Sequence, residues 1–131
     1  MTLPGYTIVN LMELENQAVE GGSTTDVRFA RSAIQSEHLG LSRFQFAPGK
    51  RSRGGHSHRE QEEVYVVLGG SGRIKLDDER VELRQWDVVR VAPETVRGFE
   101  AGPDGLDLLA VGSDRPEGGD GVSADEGWWG D

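Results

Sequence analysis

His56-Ser57-His58-Arg59-Glu60-Gln61-Glu62-Glu63-Val64-Tyr65-Val66-Val67-Leu68-Gly69-Gly70 is the stretch from which the rest of the chain can be read. On a strand, residues i and i+2 point to the same face, so the imidazoles of His56 and His58 can reach one ion. A carboxylate follows at Glu60, Glu62 or Glu63. Two histidines and one carboxylate suit a divalent first-row metal and leave coordination positions open. The same residues also read as two surface histidines on a charged loop, and spacing alone does not choose. Behind them Val64 to Leu68 is a strongly β-forming run, stopped by Gly69-Gly70.

Outward from this stretch the chain turns often. Leu41 to Phe46 reads as a strand stopped by Pro48-Gly49. Gly72 to Leu76 is followed by Asp77-Asp78 as a hairpin turn, and Val81 and Leu83 alternate with Glu82 and Arg84. Val88 to Val91 ends before Pro93, Val96 to Glu100 ends at Gly102-Pro103, and Leu106 to Val111 closes the series. Short strands at this spacing predict an all-β sandwich or barrel over about residues 39–112. Residues 1–38 are poorly patterned: Tyr6 to Val9 reads as a short strand behind Pro4-Gly5, Leu11 to Val19 has helical character, and Gly21 to Thr25 is a loop. Residues 113–131 form an acidic, glycine-rich tail that would read as disordered but for Trp128-Trp129. Those indoles leave two readings, a loosely packed tail or an ordered flap over a pocket mouth or partner subunit.

The whole chain of 131 residues fits one domain. Its net charge of −9 would repel a phosphate backbone, so no nucleic-acid partner is expected. No apolar run is long enough to span a bilayer, and Met1 to Asn16 lacks the pattern of a signal peptide. With Cys 0, disulfides, thiol nucleophiles and cysteine-zinc sites are excluded, and a cytoplasmic address is expected.

The segment from Gly49 through His56, His58, Glu63 and Gly70 resembles the first motif of the cupin family. In that motif a glycine, five intervening residues, a His-x-His pair, three or four intervening residues, a glutamate, six intervening residues and a glycine succeed one another. Glu62 with Gly69 also fits the spacing; Glu63 is preferred because Val64 to Leu68 follows it directly. Gly49 stands one residue too far from His56. Trp86 to Arg97 is similar to the second motif, but Trp86 replaces its first glycine, Glu94 or Thr95 its second, and Arg97 its metal-binding histidine.

The resemblance implies an all-β cupin barrel, a jelly roll or double-stranded β-helix, with the site inside and commonly a homodimer. It implies a divalent metal (Fe, Mn, Ni or Zn) on His56, His58 and Glu63. Arg97 cannot ligate a cation. Three arrangements stay open: Arg97 holds an anionic group of a ligand beside the metal, it pairs with Glu63 in place of the metal, or it faces outward. Tyr65 shares strand parity with Glu63 and is a candidate lining residue or simply core. Lys50-Arg51-Ser52-Arg53 reads as a solvated loop or a positive lip at the pocket mouth. The expected partner is a small, anionic organic molecule. Two functions follow: a metal-dependent enzyme of dioxygenase or isomerase type, or a non-catalytic binding module in which Arg97 replaces the metal. The family hosts both, so the reaction is left open.

Overall fold

A computed structural model describes residues 5–131. Eight antiparallel strands form one curled sheet: β1 (Thr24–Phe29), β2 (Gly40–Phe46), β3 (His56–His58), β4 (Glu63–Leu76), β5 (Glu79–Arg84), β6 (Val88–Val91), β7 (Arg97–Gly112) and β8 (Gly121–Ser123). One path through the sheet runs β1-β2-β7-β3-β8, while β4 pairs with β5, β6 and β7. Single 3-10 turns cover Leu11–Glu13 and Glu126–Trp129. No helix among the described residues is long and apolar enough to cross a membrane.

The frame is two long bent strands, β4 and β7, lying side by side. Glu63 to Gly70 pairs with Leu106 to Gly112, and Gly72 to Leu76 pairs with Arg97 to Ala101. Sequence pattern divides each of them in two, because Gly69-Gly70 and Gly102-Pro103 read as stops. The structure runs through both. Register shifts lie between Val67 and Gly69 and between Gly70 and Gly72, the signature of bulges, which bend a strand without ending it. Gly70 sits at φ 74, and a Cβ there would strike the carbonyl of Gly105. The Asp77-Asp78 turn forms as expected, with Leu76 opposite Glu79.

Alternation then does the packing. Tyr65 and Val67 of β4 lie beside their register partners Ala110 and Leu108 of β7, with Leu106 further along, in the buried cluster. Phe46, Ile74, Leu83, Val91, Phe99 and Ala101 complete the cluster. Each large apolar side chain buried there contributes roughly 1.5–3 kcal/mol.

The sheet extends beyond residues 39–112 at both ends. β1 pairs with β2 in the segment expected to be irregular, and β8 pairs with β3 inside the tail. Tyr6 to Val9 joins no strand; Ile8 is 83% exposed, and Pro4 lies outside the described residues. Of Leu11 to Val19 only one turn is helical, capped by the Asn10 side chain.

The tail is ordered against one end of the barrel. Trp129 is 3% exposed and its Nε1 donates to the carbonyl of Ser52 at 2.8 Å. Gly55 and Gly98 leave the room that Trp128 occupies, since a Cβ on either would meet its ring. The Lys75 ammonium lies 4.3 Å from the Trp128 ring centroid, and the Arg51 guanidinium 4.8 Å from that of Trp129, within the range of cation–π attraction. Hydrogen bonds from Arg80 and Arg51 hold the Asp131 carboxyl at about 2, below its usual 3.8. A carboxyl depressed in the folded state stabilises it above the unfolded pKa, and that contribution vanishes as pH falls through the folded pKa. Tryptophan emission is therefore expected to shift to the red between about pH 4 and 2 as the tail end releases. In Asp131→Asn the shift within that window should disappear.

Candidate metal centre

β3 is three residues long and is held on both edges. His56 pairs with Arg97 at the start of β7, and His56 to His58 pairs with Gly121 to Ser123 of β8. The two imidazoles share a face, as strand parity requires, with ring centroids 5.2 Å apart. Glu63 opens β4 and directs its carboxylate at them. His58 Nε2 lies 3.0 Å and His56 Nε2 3.7 Å from Glu63 Oε1. The three donor atoms lie within 4.8 Å of one another. Ligand bonds near 2.0–2.2 Å place neighbouring donors about 3–4 Å apart, so the donor set fits a divalent first-row ion. Glu62 turns outward to Arg90, 3.1 Å away. The His-His-Glu cluster is therefore built on Glu63.

The surrounding residues fix this cluster. The Tyr65 hydroxyl donates to Glu63 Oε1 at 2.6 Å. Arg97 Nη2 lies 3.6 Å from the same oxygen. Burial raises the Glu63 pKa, but the neighbouring imidazoles of His56 and His58, the hydrogen bond from Tyr65 and the charge of Arg97 outweigh it and hold the carboxyl at about 2. Burial beside that carboxylate pushes the Tyr65 hydroxyl well up, so it remains a donor.

Arg97 is 0% exposed and does not face outward. Its Nη1 donates to the carbonyl of Thr95 at 2.9 Å and approaches those of Pro93 and His56 at 3.3 and 3.4 Å. Its Nε has no hydrogen-bond partner. The guanidinium sits beneath Glu63, anchored in the β6–β7 turn.

Sequence reading missed Asp120. One carboxylate oxygen of Asp120 accepts from the backbone N–H groups of Glu60 and Gln61, both at 2.8 Å. The other lies 2.9 Å from His58 Nδ1. Burial raises the Asp120 pKa, yet these hydrogen bonds hold it at about 2. An ionised carboxylate only accepts, so Nδ1 is the donor. Nothing local marks Asp120; it is one of several acids among glycines, 62 residues from its partner.

Two cavities meet at this cluster and share His56, Glu63 and Phe44 as walls. One, of about 580 Å³, adds His58, Gln61, Ser42, Arg31 and Arg115. The other, of about 310 Å³, is mostly apolar, with Tyr65, Val27, Phe46, Phe99 and Leu108. Tyr65 thus lines a cavity, whereas Arg97 belongs to the wall of neither. Of the basic loop, Arg53 reaches the apolar cavity, and Arg51 is engaged by Glu100 and Asp131. His38 stands on the surface beside Asp114, and Trp86 is exposed at a turn.

A family model described as a cupin domain matches residues 42–111, more than half of the chain. An uncharacterised protein of Methanocaldococcus jannaschii is 36% identical over 45 residues, a match covering 34% of this chain and 36% of that protein's length. Among solved structures, a cupin protein of Bacteroides fragilis superposes with a TM-score of 0.68 at 22% identity, covering 88% of this chain and 89% of its own. The polyketide cyclase RemF of Streptomyces resistomycificus gives a TM-score of 0.70 at 21% identity, covering 84% and 81%. At these identities the likeness establishes the barrel alone.

Proposed function

The chain belongs to the cupin family, and from that premise we propose that its barrel binds a divalent transition metal and a small organic anion, as a metal-dependent enzyme. His56, His58 and Glu63 would hold the ion. When bound, such an ion supplies Lewis acidity or oxygen activation at its open positions.

One observation carries this reading: the Asp120–His58–Glu63 line. Because His58 Nδ1 donates to Asp120, Nε2 is the ring atom left to face Glu63 Oε1, 3.0 Å away. Either a proton on Nε2 or a cation between the two atoms satisfies that contact, and Nε2 without its proton is the form that ligates a metal. The charges agree. Asp120 and Glu63 contribute two negative charges, and Arg97 returns one. A divalent ion overcompensates the remainder and leaves the site attractive to an anion.

The chain's own residues do the remaining work. Asp120 fixes the ring orientation and tautomer of His58. Tyr65 and Arg97 hold the Glu63 carboxylate in one rotamer, so Arg97 acts on a ligand only through Glu63. The apolar wall of Phe46, Phe99 and Leu108 keeps water from one side of the cluster. RemF is a polyketide cyclase; this chain's reaction is open between oxygen-dependent and isomerase-like chemistry. Association into a homodimer belongs to the same reading, and exposed Ile8, Phe29 and Leu39 offer apolar surface for it.

A second reading is supported by Arg97 itself, fully buried and 3.6 Å from Glu63. There its charge serves in place of a metal, and the barrel binds its ligand without catalysis.

Titration of untagged protein with cobalt(II), read by visible absorption and elemental analysis, separates the two. The metal reading expects about one equivalent per chain, and Asp120→Asn is expected to weaken binding about 10–100-fold. Absence of bound metal after reconstitution would favour the binding module.

A further inference from the structure

Arg31 follows β1 in a tight turn and crosses back over the sheet. Gly40 of β2 and Gly112 of β7 are register partners, and both are bare where Arg31 passes. A Cβ on Gly40 would lie 2.5 Å from Arg31 Nη2 and 2.8 Å from its Cζ. One on Gly112 would strike the Gln61 amide. The two glycines thus form a cradle in which the guanidinium and the amide lie side by side. Arg31 Nη2 and Gln61 Nε2 both donate to the carbonyl of Ser113, at 2.7 and 3.1 Å. That bond fixes the guanidinium and leaves its other N–H donors free, at the wall of the 580 Å³ cavity that holds His56, His58 and Glu63.

Charge sets this residue apart. Eight of the twelve arginines lie within ion-pair distance of a carboxylate. Among the described residues Arg31, Arg59, Arg84 and Arg115 have no such partner, and of these four Arg31 and Arg115 line the same cavity. In a chain of net charge −9, two uncompensated guanidiniums facing one cavity select for an anion. Across Phe44 and Glu63 the neighbouring cavity is apolar.

We propose that the site takes an amphiphilic organic oxyanion, a carboxylate or phosphate monoester on a flat apolar body. Arg31, seated over Gly40 and Gly112, holds its head through the free guanidinium N–H groups, Arg115 adds a second cation from the tail segment, and the body lies against Phe44. This rests on the reading of the same site as a ligand-binding metal centre, but assigns the anion to Arg31 and Arg115 and not to Arg97.

Isothermal titration of the full chain, metal-free and cobalt-loaded, tests it with benzoate, phenyl phosphate and the neutral isostere benzamide. One of the two anions should bind at least tenfold more tightly than benzamide, and which one does so identifies the head group. Arg31→Gln should weaken that anion about ten- to a hundredfold and leave benzamide and cobalt binding unchanged. Arg115→Gln, an exposed position outside the sheet, should weaken it in the same direction with an unaltered melting temperature. The proposal falls if neither anion binds the wild type at millimolar concentration, or if both variants bind it as the wild type does. Failure of the metal reading looks different: cobalt would not bind, while the anion would still depend on Arg31.

Discussion

The His56→Ala, His58→Ala double variant is expected to lose cobalt(II) binding altogether, a drop of about a thousandfold or more, or at least ~4 kcal/mol. Both imidazole donors disappear, and the carboxylate that remains is a single monodentate ligand already hydrogen-bonded by Tyr65. One oxygen ligand does not retain a first-row ion against water. The fold should persist. β3 is held through backbone pairing to β7 and β8, which needs no imidazole, and Arg97 still faces Glu63. Unfolding and cobalt titration on the same preparation therefore separate loss of the site from loss of the fold. Stoichiometric cobalt in a folded double variant would mean that the ion sits elsewhere.

Arg97→Met is expected to act on stability, lowering it by about 3–5 kcal/mol at neutral pH. The substitution approximates the volume of the side chain but removes a fully buried charge. Two costs follow. The Glu63 carboxylate loses a cation from its buried face, and the carbonyl of Thr95 loses its donor. The sign of the pH dependence is fixed by Glu63. Its pKa is held at about 2 in the folded state against an ordinary 4.5. Its stabilising contribution is present above the ordinary value and is lost as pH falls through the folded one. Removing Arg97 raises the folded pKa, so the deficit should be largest at neutral pH and shrink on acidification. Urea unfolding at pH 7 and near pH 4 reads this directly. Adding Glu63→Gln to Arg97→Met should restore part of the loss, because the unpaired charge is gone, and a double-mutant cycle measures the coupling. If Arg97→Met is as stable as the wild type, the guanidinium does not support Glu63, and both readings of its role fail.

How far the candidate site could be read in advance depended on distance along the chain. The pairing of His56 with His58 needs only the two-residue period of a strand. The choice of Glu63 over Glu62 follows from which glutamate begins the run Val64 to Leu68. Both are local, and both were legible. The Asp77-Asp78 hairpin was legible for the same reason. Gly69-Gly70 and Gly102-Pro103 were ambiguous locally: the same residues end a strand or bulge it. The choice is made by β4 and β7 pairing on either side of the bend.

Sequence by itself therefore determined the strand-rich architecture and the family resemblance, and it nominated the two histidines with Glu63 preferred over Glu62, because each is written in residues a few positions apart. Tertiary structure alone decided the rest. It sealed Arg97 under Glu63, brought Asp120 to His58, and carried Arg31 and Arg115 to the same cavity. It also turned an apparently disordered tail into a strand, a charged support and a tryptophan anchor. Those contacts join residues far apart in the chain, and their partners are selected by the curl of the sheet and by burial, neither of which leaves a periodic mark on the sequence.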